Sequence, residues 1–233
     1  MNELLAKLEN SYKQILGENL VGIYIHGSIA FGCFSWERSD VDFIAVVDEP
    51  LSQEIRLKLL QTLEDLRPLT PPKGFEMSVV LRKYCENFVY PTPFEQHFGN
   101  DWLEKYLANP LSICGDGNQI DYDLAAHFTV IKSVGVVLCG EPIEKVFGIV
   151  PKEDYWDSIY RDIENAEEDV HDNPVYVILN LCRVYAFVKE GLVLSKEQGG
   201  KWGLENLPTE YHGVIRDMLA MYMKGDKNAG IDD

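Results

Sequence analysis

Asp40 and Asp42, in Ser39-Asp40-Val41-Asp42, stand at the mouth of an otherwise apolar, β-prone run from Val41 to Val47. Side chains alternate faces along a strand, so both carboxylates leave the same side, roughly 7 Å apart along the chain. Two carboxylates so placed can share divalent cations. Burying two charges beside an apolar strand is costly unless a cation compensates them, and that cost argues for function. A third carboxylate comes from the run Phe75 to Arg82, where Phe75, Met77, Val79 and Leu81 take one face and Glu76, Ser78 and Val80 take the other. If this run lies beside Val41 to Val47, Glu76 approaches the aspartate pair. Three carboxylates on adjacent strands suit two-metal phosphoryl or nucleotidyl transfer, in which magnesium neutralises a triphosphate and a free carboxylate takes a proton from the attacking hydroxyl. Gly27-Ser28 follows the apolar run Leu20 to Ile25 and His26. A glycine there lets the backbone approach a phosphate, and a serine hydroxyl with exposed N–H groups can hold its oxygens. Gly-Ser alone is an ordinary strand-to-helix turn. Its combination with Ser-Asp-x-Asp ten residues further on favours the functional reading.

The elements that must position these groups are legible from periodicity. Leu4, Leu5, Leu8, Tyr12 and Ile15 have helical spacing, stopped by Gly17. Leu51 to Leu66 is helical, with Ser52 as cap and Pro68, Pro71 and Pro72 ending it. Gly74 then releases the strand that carries Glu76. After an irregular stretch rich in aromatics and proline, the long segments turn helical. One helix is expected from Leu124 to Leu138, closed by Gly140 and Pro142. Others are expected from about Glu153 to Val170, from Pro174 to Glu190 and from Tyr211 to Met223. Asn173-Pro174 marks a helix start, and Ser195 with Gln198 fits a capping box. The expected architecture is an α/β N-terminal domain over residues 1–115, a mixed sheet with flanking helices, followed by an all-α helical domain over 116–233.

Composition narrows the class. The chain has 233 residues, 46% of them hydrophobic and 11% aromatic, which excludes global disorder. No apolar run approaches the ~18 residues of a membrane span, and the first residues form an amphipathic helix opening without a basic leader, so a cytoplasmic protein with no membrane partner is expected. Cys33, Cys85, Cys114, Cys139 and Cys182 are odd in number and widely spaced, with no C-x-x-C pair, which fits free core thiols in a reducing compartment. Against 38 Asp and Glu stand 21 Lys and Arg, a formal charge of −17. Such a surface repels phosphate backbones, so a nucleic acid is a poor partner and a small polycation a better one. His26 precedes the glycine turn and is expected to touch whatever phosphate group that turn holds. His97, His127 and His212 lack zinc-ligand spacing and are expected to be structural.

Taken together, Gly27-Ser28-(x)10-Ser39-Asp40-x-Asp42 resembles the signature of the DNA polymerase β-like nucleotidyltransferase superfamily. In the second half, Asn180-Leu-Cys-Arg183, Gly191-(x)3-Ser195-Lys196, Trp202 and Leu207-Pro208 resemble the helical domain of the aminoglycoside 3″/9-adenylyltransferases, which modify streptomycin and spectinomycin. The resemblance implies Mg-dependent transfer of AMP from ATP to an antibiotic hydroxyl, and hence resistance, with ATP held between the two halves; the sequence leaves the oligomeric state open, and a monomer is the expectation. It implies that Asp40 and Asp42 bind magnesium, that Glu76 is the general base, that Ser28, Ser39, Arg183 and Lys196 bind the ATP phosphates and that Tyr222 stacks on adenine. Trp102 lies within one residue of a family tryptophan associated with streptomycin. Asp169, His171 and Asp172 occupy the stretch whose acidic residues receive the drug's hydroxyl and ammonium groups. His171-Asp172-Asn173-Pro174 departs there from the family's usual acidic-Arg-Asn run.

Bland readings stand beside these. Arg183 in mid-helix needs an anion, which a structural carboxylate supplies as well as a triphosphate does. Lys196 lies in a helix first turn, where the dipole disfavours a cation unless an anion is near, yet a solvated lysine is the ordinary case. Tyr222 and Trp102 could be core rings, and Asp169 and Asp172 could cap or solvate a helix end. Two rival functions remain open: a nucleotidyltransferase acting on another small molecule or on a protein hydroxyl, and a catalytically idle, antitoxin-like nucleotide-binding module. The three carboxylates argue against the idle module, because a sensor has no need of a base at Glu76.

Overall fold

A computed structural model describes residues 1–114 and 119–224. In chain order the elements are α1 (Asn2–Leu16), β1 (Leu20–Ile25), α2 (Gly27–Ala30), β2 (Val41–Val47), α3 (Gln53–Leu66), β3 (Phe75–Leu81), α4 (Arg82–Glu86), β4 (Thr92–Phe94), β5 (Gln96–Phe98), α5 (Leu103–Ala108), β6 (Gln119–Asp121), α6 (Leu124–Val134), β7 (Val136–Gly140), α7 (Ile143–Val146), α8 (Lys152–Arg161), α9 (Ala166–Asp169), α10 (Pro174–Glu190), α11 (Lys196–Asn206) and α12 (His212–Lys224). The chain divides into two compact units, Met1–Pro151 and Lys152–Asp233. The boundary expected at 115/116 falls among residues outside those described, and α6 and β7 belong to the first unit.

The first unit is built on a mixed sheet of order β5-β3-β2-β1-β7, in which β2 and β3 are parallel and the other pairs antiparallel. Every residue of β2 is buried, as its nearly continuous apolar sequence requires of a strand covered on both sides. On one face Val41, Phe43, Ala45 and Val47 join Phe75, Met77, Val79 and Leu81 under Leu4, Leu8 and Tyr12 of α1 and Leu59 and Leu63 of α3. On the other face Ile44, Val46 and Val80 pack with Leu124, Phe128 and Ile131 of α6 and with Phe147. Burying side chains of this size contributes about 1.5–3 kcal/mol each, so the sheet is fixed from both sides. Ser52 caps α3 as expected, its Oγ accepting from Ile55 N–H at 3.3 Å. A pair absent from the sequence reading locks α3 to the β4–β5 turn. Arg56 donates to Glu95 Oε2 at 2.8 Å with both side chains almost wholly buried, and the same oxygen accepts from Leu51 N–H.

Two expected helices are shorter than their periodicity suggested. The helix over Leu124–Leu138 stops at Val134, because Gly135 turns extended (ψ 154°) after its N–H has closed on Ile131 O. The β-prone residues Val136–Gly140 then pair with β1, Cys139 opposite Ile23. The helix over Glu153–Val170 splits into α8 and α9, since Ile163 and Ala166 donate three residues back, to Tyr160 O and Ile163 O, and tighten the chain into turns. In the second unit α10, α11 and α12 pack on one another around Leu179, Cys182, Ile215, Met218 and Leu219. The Ser195 capping box is fully formed: Ser195 Oγ accepts from Gln198 N–H at 3.1 Å, and Gln198 Oε1 accepts from Ser195 N–H at 2.9 Å. All five cysteines are free thiols.

Gly140 tests the placement of β7. Its φ is +99°, and a Cβ there would come within 2.1 Å of Val21 O. Gly140→Ala is expected to cost about 2 kcal/mol or more and to lower the first unit's melting temperature by roughly 5 °C in a calorimetric scan. An unchanged transition would mean that β7 does not close this edge of the sheet.

Candidate active site

The acidic cluster follows from strand register. Because β2 and β3 are parallel with Val41 opposite Phe75, Asp42 lies opposite Glu76, and both leave the sheet on the α6 side at the start of their strands. Asp40, just before β2, completes the group. Asp40, Asp42 and Glu76 each present a ligand atom within 4.8 Å of the others, Asp42 buried and the other two partly exposed. The donors are all hard carboxylate oxygens, the chemistry that magnesium takes. The three residues predicted to act together are therefore together.

The turn after β1 is shaped around Asp42. His26 N–H donates to Asp42 O at 3.0 Å. Gly27 follows with φ +57°, and a Cβ there would sit 1.8 Å from Asp42 Oδ2. A side chain at this position would occupy the space of the carboxylate, so glycine is needed both for its conformation and for this approach. Ser28 Oγ is buried with no hydrogen-bond partner among the described residues, which leaves it available to a ligand oxygen. Ser39, also buried, has its Oγ accepting from Ser35 N–H at 3.1 Å, so it closes the loop before Asp40 and keeps its own proton to donate.

Three histidines surround the cluster, two of them missed as site residues. The His127 Nε2 atom is 3.9 Å from Glu76 Oε1, and its ring centroid is 4.7 Å from that of His26. Burial, with a contribution from neighbouring His127, pushes the His26 pKa well below its ordinary value. Burial opposes charge on His127 too, but the carboxylates of Glu76, Asp121, Asp123 and Asp42 outweigh it and raise its pKa. His97 Nδ1 is 3.0 Å from Ser78 Oγ, two residues along β3 from Glu76, and burial lowers its pKa against the pull of Asp121 and Glu76. The available signal was His127 as the polar exception in the apolar run Leu124-Ala-Ala-His-Phe, one turn after Asp123. Trp102 packs at the edge of the first core, edge-on to His97 at 5.7 Å and with Lys105 Nζ 5.1 Å from its ring.

The remaining predicted residues lie in the second unit. Arg183 on α10 donates from Nε to Leu194 O and from Nη1 to Asn180 Oδ1, both at 2.8 Å, and forms no ion pair with a described carboxylate. Gly199 of α11 makes this arrangement possible, since a Cβ there would meet Arg183 Cγ at 2.6 Å. Lys196 opens α11 with its Nζ 4.7 Å from the Tyr176 ring. Tyr222 packs, partly buried, at the edge of the α10–α12 core. Asp169 and Asp172 are exposed around the turn before α10, where Asp169 O accepts from Asp172 and Asn173 N–H.

The first unit thus gathers three carboxylates on a parallel strand pair beside a Gly-Ser turn, and a helical unit follows it in the chain. Residues 145–232 match the family described as aminoglycoside adenylyltransferase, C-terminal domain. Across most of its length the chain is similar to an aminoglycoside (3″)(9) adenylyltransferase of Klebsiella pneumoniae, at 24% identity over 94% of this chain and 87% of the relative. It is also similar to a spectinomycin 9-adenylyltransferase of Staphylococcus aureus, at 27% identity over 92% and 82%. Its fold matches the crystal structure of spectinomycin adenyltransferase AAD(9) from Enterococcus faecialis with ATP and spectinomycin, with a TM-score of 0.79, 21% identity and coverage of 100% of this chain and 92% of that one. The resemblance read from the sequence motifs is borne out.

The Gly27–Asp42 approach generates a direct test. Gly27→Ala is expected to lower the melting temperature by several degrees, as its positive φ and the overlap with Asp42 require, and to displace the Asp42 carboxylate, so that magnesium binding measured by calorimetry well below the transition weakens about tenfold. Unaltered binding would detach the turn from the acidic cluster.

Proposed function

We propose that this chain transfers AMP from ATP to a hydroxyl of an aminocyclitol or aminoglycoside antibiotic, with magnesium, and so confers resistance. The observation that carries the reading is the register of β2 and β3, which brings Asp40, Asp42 and Glu76 within 4.8 Å of one another. Asp40 and Asp42 would hold magnesium, which when bound supplies positive charge to the triphosphate. Glu76 takes the proton of the acceptor hydroxyl, whose oxygen attacks the α-phosphorus in line as the bond to pyrophosphate breaks. Ser28, with its unpartnered hydroxyl, orients a phosphate oxygen, and Ser39 has a donor to offer. Arg183 and Lys196 contribute phosphate contacts from the second unit, and Tyr222 contributes an adenine contact. For Arg183 the support is its pairing with neutral oxygens and with no carboxylate among the described residues, which leaves its charge for an anion.

On the acceptor side, Trp102, Asp169 and Asp172 are the proposed drug-binding residues, offering a ring face and exposed carboxylates to a polycation. The formal charge of −17 favours approach of such an acceptor. Among the described residues no helix is long and apolar enough to cross a membrane, and we place the enzyme in the cytoplasm, where ATP and magnesium are supplied.

Incubating the full chain with ATP, magnesium and streptomycin or spectinomycin is expected to release pyrophosphate only when a drug is present, and chelation of the metal is expected to stop it. Glu76→Ala should reduce transfer at least a thousandfold with ATP affinity within a fewfold of the parent. Drug-independent release would point to another acceptor, and no release under any condition would overturn the assignment.

A further inference from the structure

The proposed chemistry leaves unexplained what aims the Glu76 carboxylate. Its side chain is 40% exposed, and no hydrogen bond to a described residue holds it. Asp40 and Asp42 lie within 4.8 Å, and their charge alone pushes Glu76 away. A general base must nevertheless be held within about 0.5 Å of its productive position, and a misplacement of about 1 Å can cost a hundredfold in rate.

His127 reaches Glu76 from α6, its Nε2 3.9 Å from Glu76 Oε1. Its backbone is held by the helix and its ring by a neighbouring ring. Its neighbours Leu124 and Phe128 are locked in the core under the sheet. Its backbone N–H donates to Asp123 O at 3.0 Å, and its ring lies against that of His26, 4.7 Å between centroids and tilted 36°. His26 is only 4% exposed, and its own backbone is tied to Asp42 O. The two tilted rings therefore stand between the β2 backbone at Asp42 and the carboxylate on β3. His97, whose Nδ1 lies 3.0 Å from Ser78 Oγ, makes no ion pair or hydrogen bond with Glu76 among the described residues.

We propose that His127 is the positioning residue of Glu76, with the buried His26 ring as the shelf that fixes the His127 imidazole. The inference rests on the reading of Glu76 as the proton acceptor. The 3.9 Å separation is longer than a hydrogen bond, and contacts of this kind tighten once substrates are bound. An imidazole donates from Nε2 either as the cation or as the matching neutral tautomer, so the arrangement needs no change of protonation. Nothing in it requires His127 to touch ATP or the acceptor.

The test compares His127→Ala, His127→Gln and the double variant His127→Ala with Glu76→Gln in the full chain, using ATP, magnesium and the accepted antibiotic. His127→Ala is expected to lower kcat 10- to 100-fold, with the ATP dissociation constant within twofold and the melting temperature unchanged. His127→Gln, which keeps a side-chain N–H donor, should recover most of the loss. Adding His127→Ala to Glu76→Gln should lower the residual rate by less than twofold, because the group being aimed has already gone. A His127→Ala enzyme with full kcat beside an inactive Glu76→Ala would overturn the positioning role alone. So would a loss that tracks melting temperature and ATP affinity and that glutamine fails to rescue. An active Glu76→Ala enzyme would overturn the proton-acceptor reading and the inference with it.

Discussion

Mutual repulsion among Asp40, Asp42 and Glu76 is the constraint around which the first unit is organised. Three carboxylates within 4.8 Å of one another are unfavourable without positive charge, and only a rigid scaffold holds them there. That scaffold is the parallel pairing of β2 and β3, whose register is enforced by apolar side chains on both faces. A slip of one residue would turn Asp42 and Glu76 to opposite faces of the sheet, so core packing and site geometry are the same fact seen from two ends. The cost of assembling these charges is met by the burial of Phe43, Phe75, Ile44 and Val46 on the same two strands.

The second unit solves the opposite problem. A guanidinium in mid-helix is placed against neutral oxygens, Leu194 O and Asn180 Oδ1, so that its donors are oriented while its charge is not neutralised locally. Its geometry is set by the close packing of α10 and α11, which in turn depends on Gly199 having no side chain to collide with Arg183. Held in this way, a guanidinium loses little conformational freedom when it meets an anion.

Much of this was legible in the sequence wherever the relevant interaction is local or periodic. Alternation along Phe75–Leu81 placed Glu76 on the face away from Phe75, Met77, Val79 and Leu81, and the Ser195–Gln198 spacing fixed the start of α11, because both depend on neighbours a few residues away. The parallel pairing of β2 with β3 could be stated only as a condition, since periodicity does not choose a partner. The stretch Val134–Leu138 misled for a related reason: its apolar residues fit a helical stripe, and the decisive competitor, an open edge on β1, is far away in sequence. His127 and His97 were passed over because their importance comes from meeting Glu76 and Ser78 across a sheet, and no spacing encodes that. The buried Arg56–Glu95 pair was invisible for the same reason.

The segment Lys196-Glu-Gln-Gly-Gly-Lys-Trp-Gly carries three glycines in barely two turns, each costing about 1 kcal/mol of intrinsic helicity relative to alanine. Such a peptide has almost no tendency to coil by itself. It persists as α11 because Gly200 and Gly203 let Leu219, Cys182 and Ile215 press directly against its backbone. Order in this helix is thus borrowed from its neighbours, and Lys196, at its first residue, acquires a defined place only once they have assembled. Any loosening of that bundle would dissolve the helix outright instead of bending it, giving the unit an all-or-nothing character.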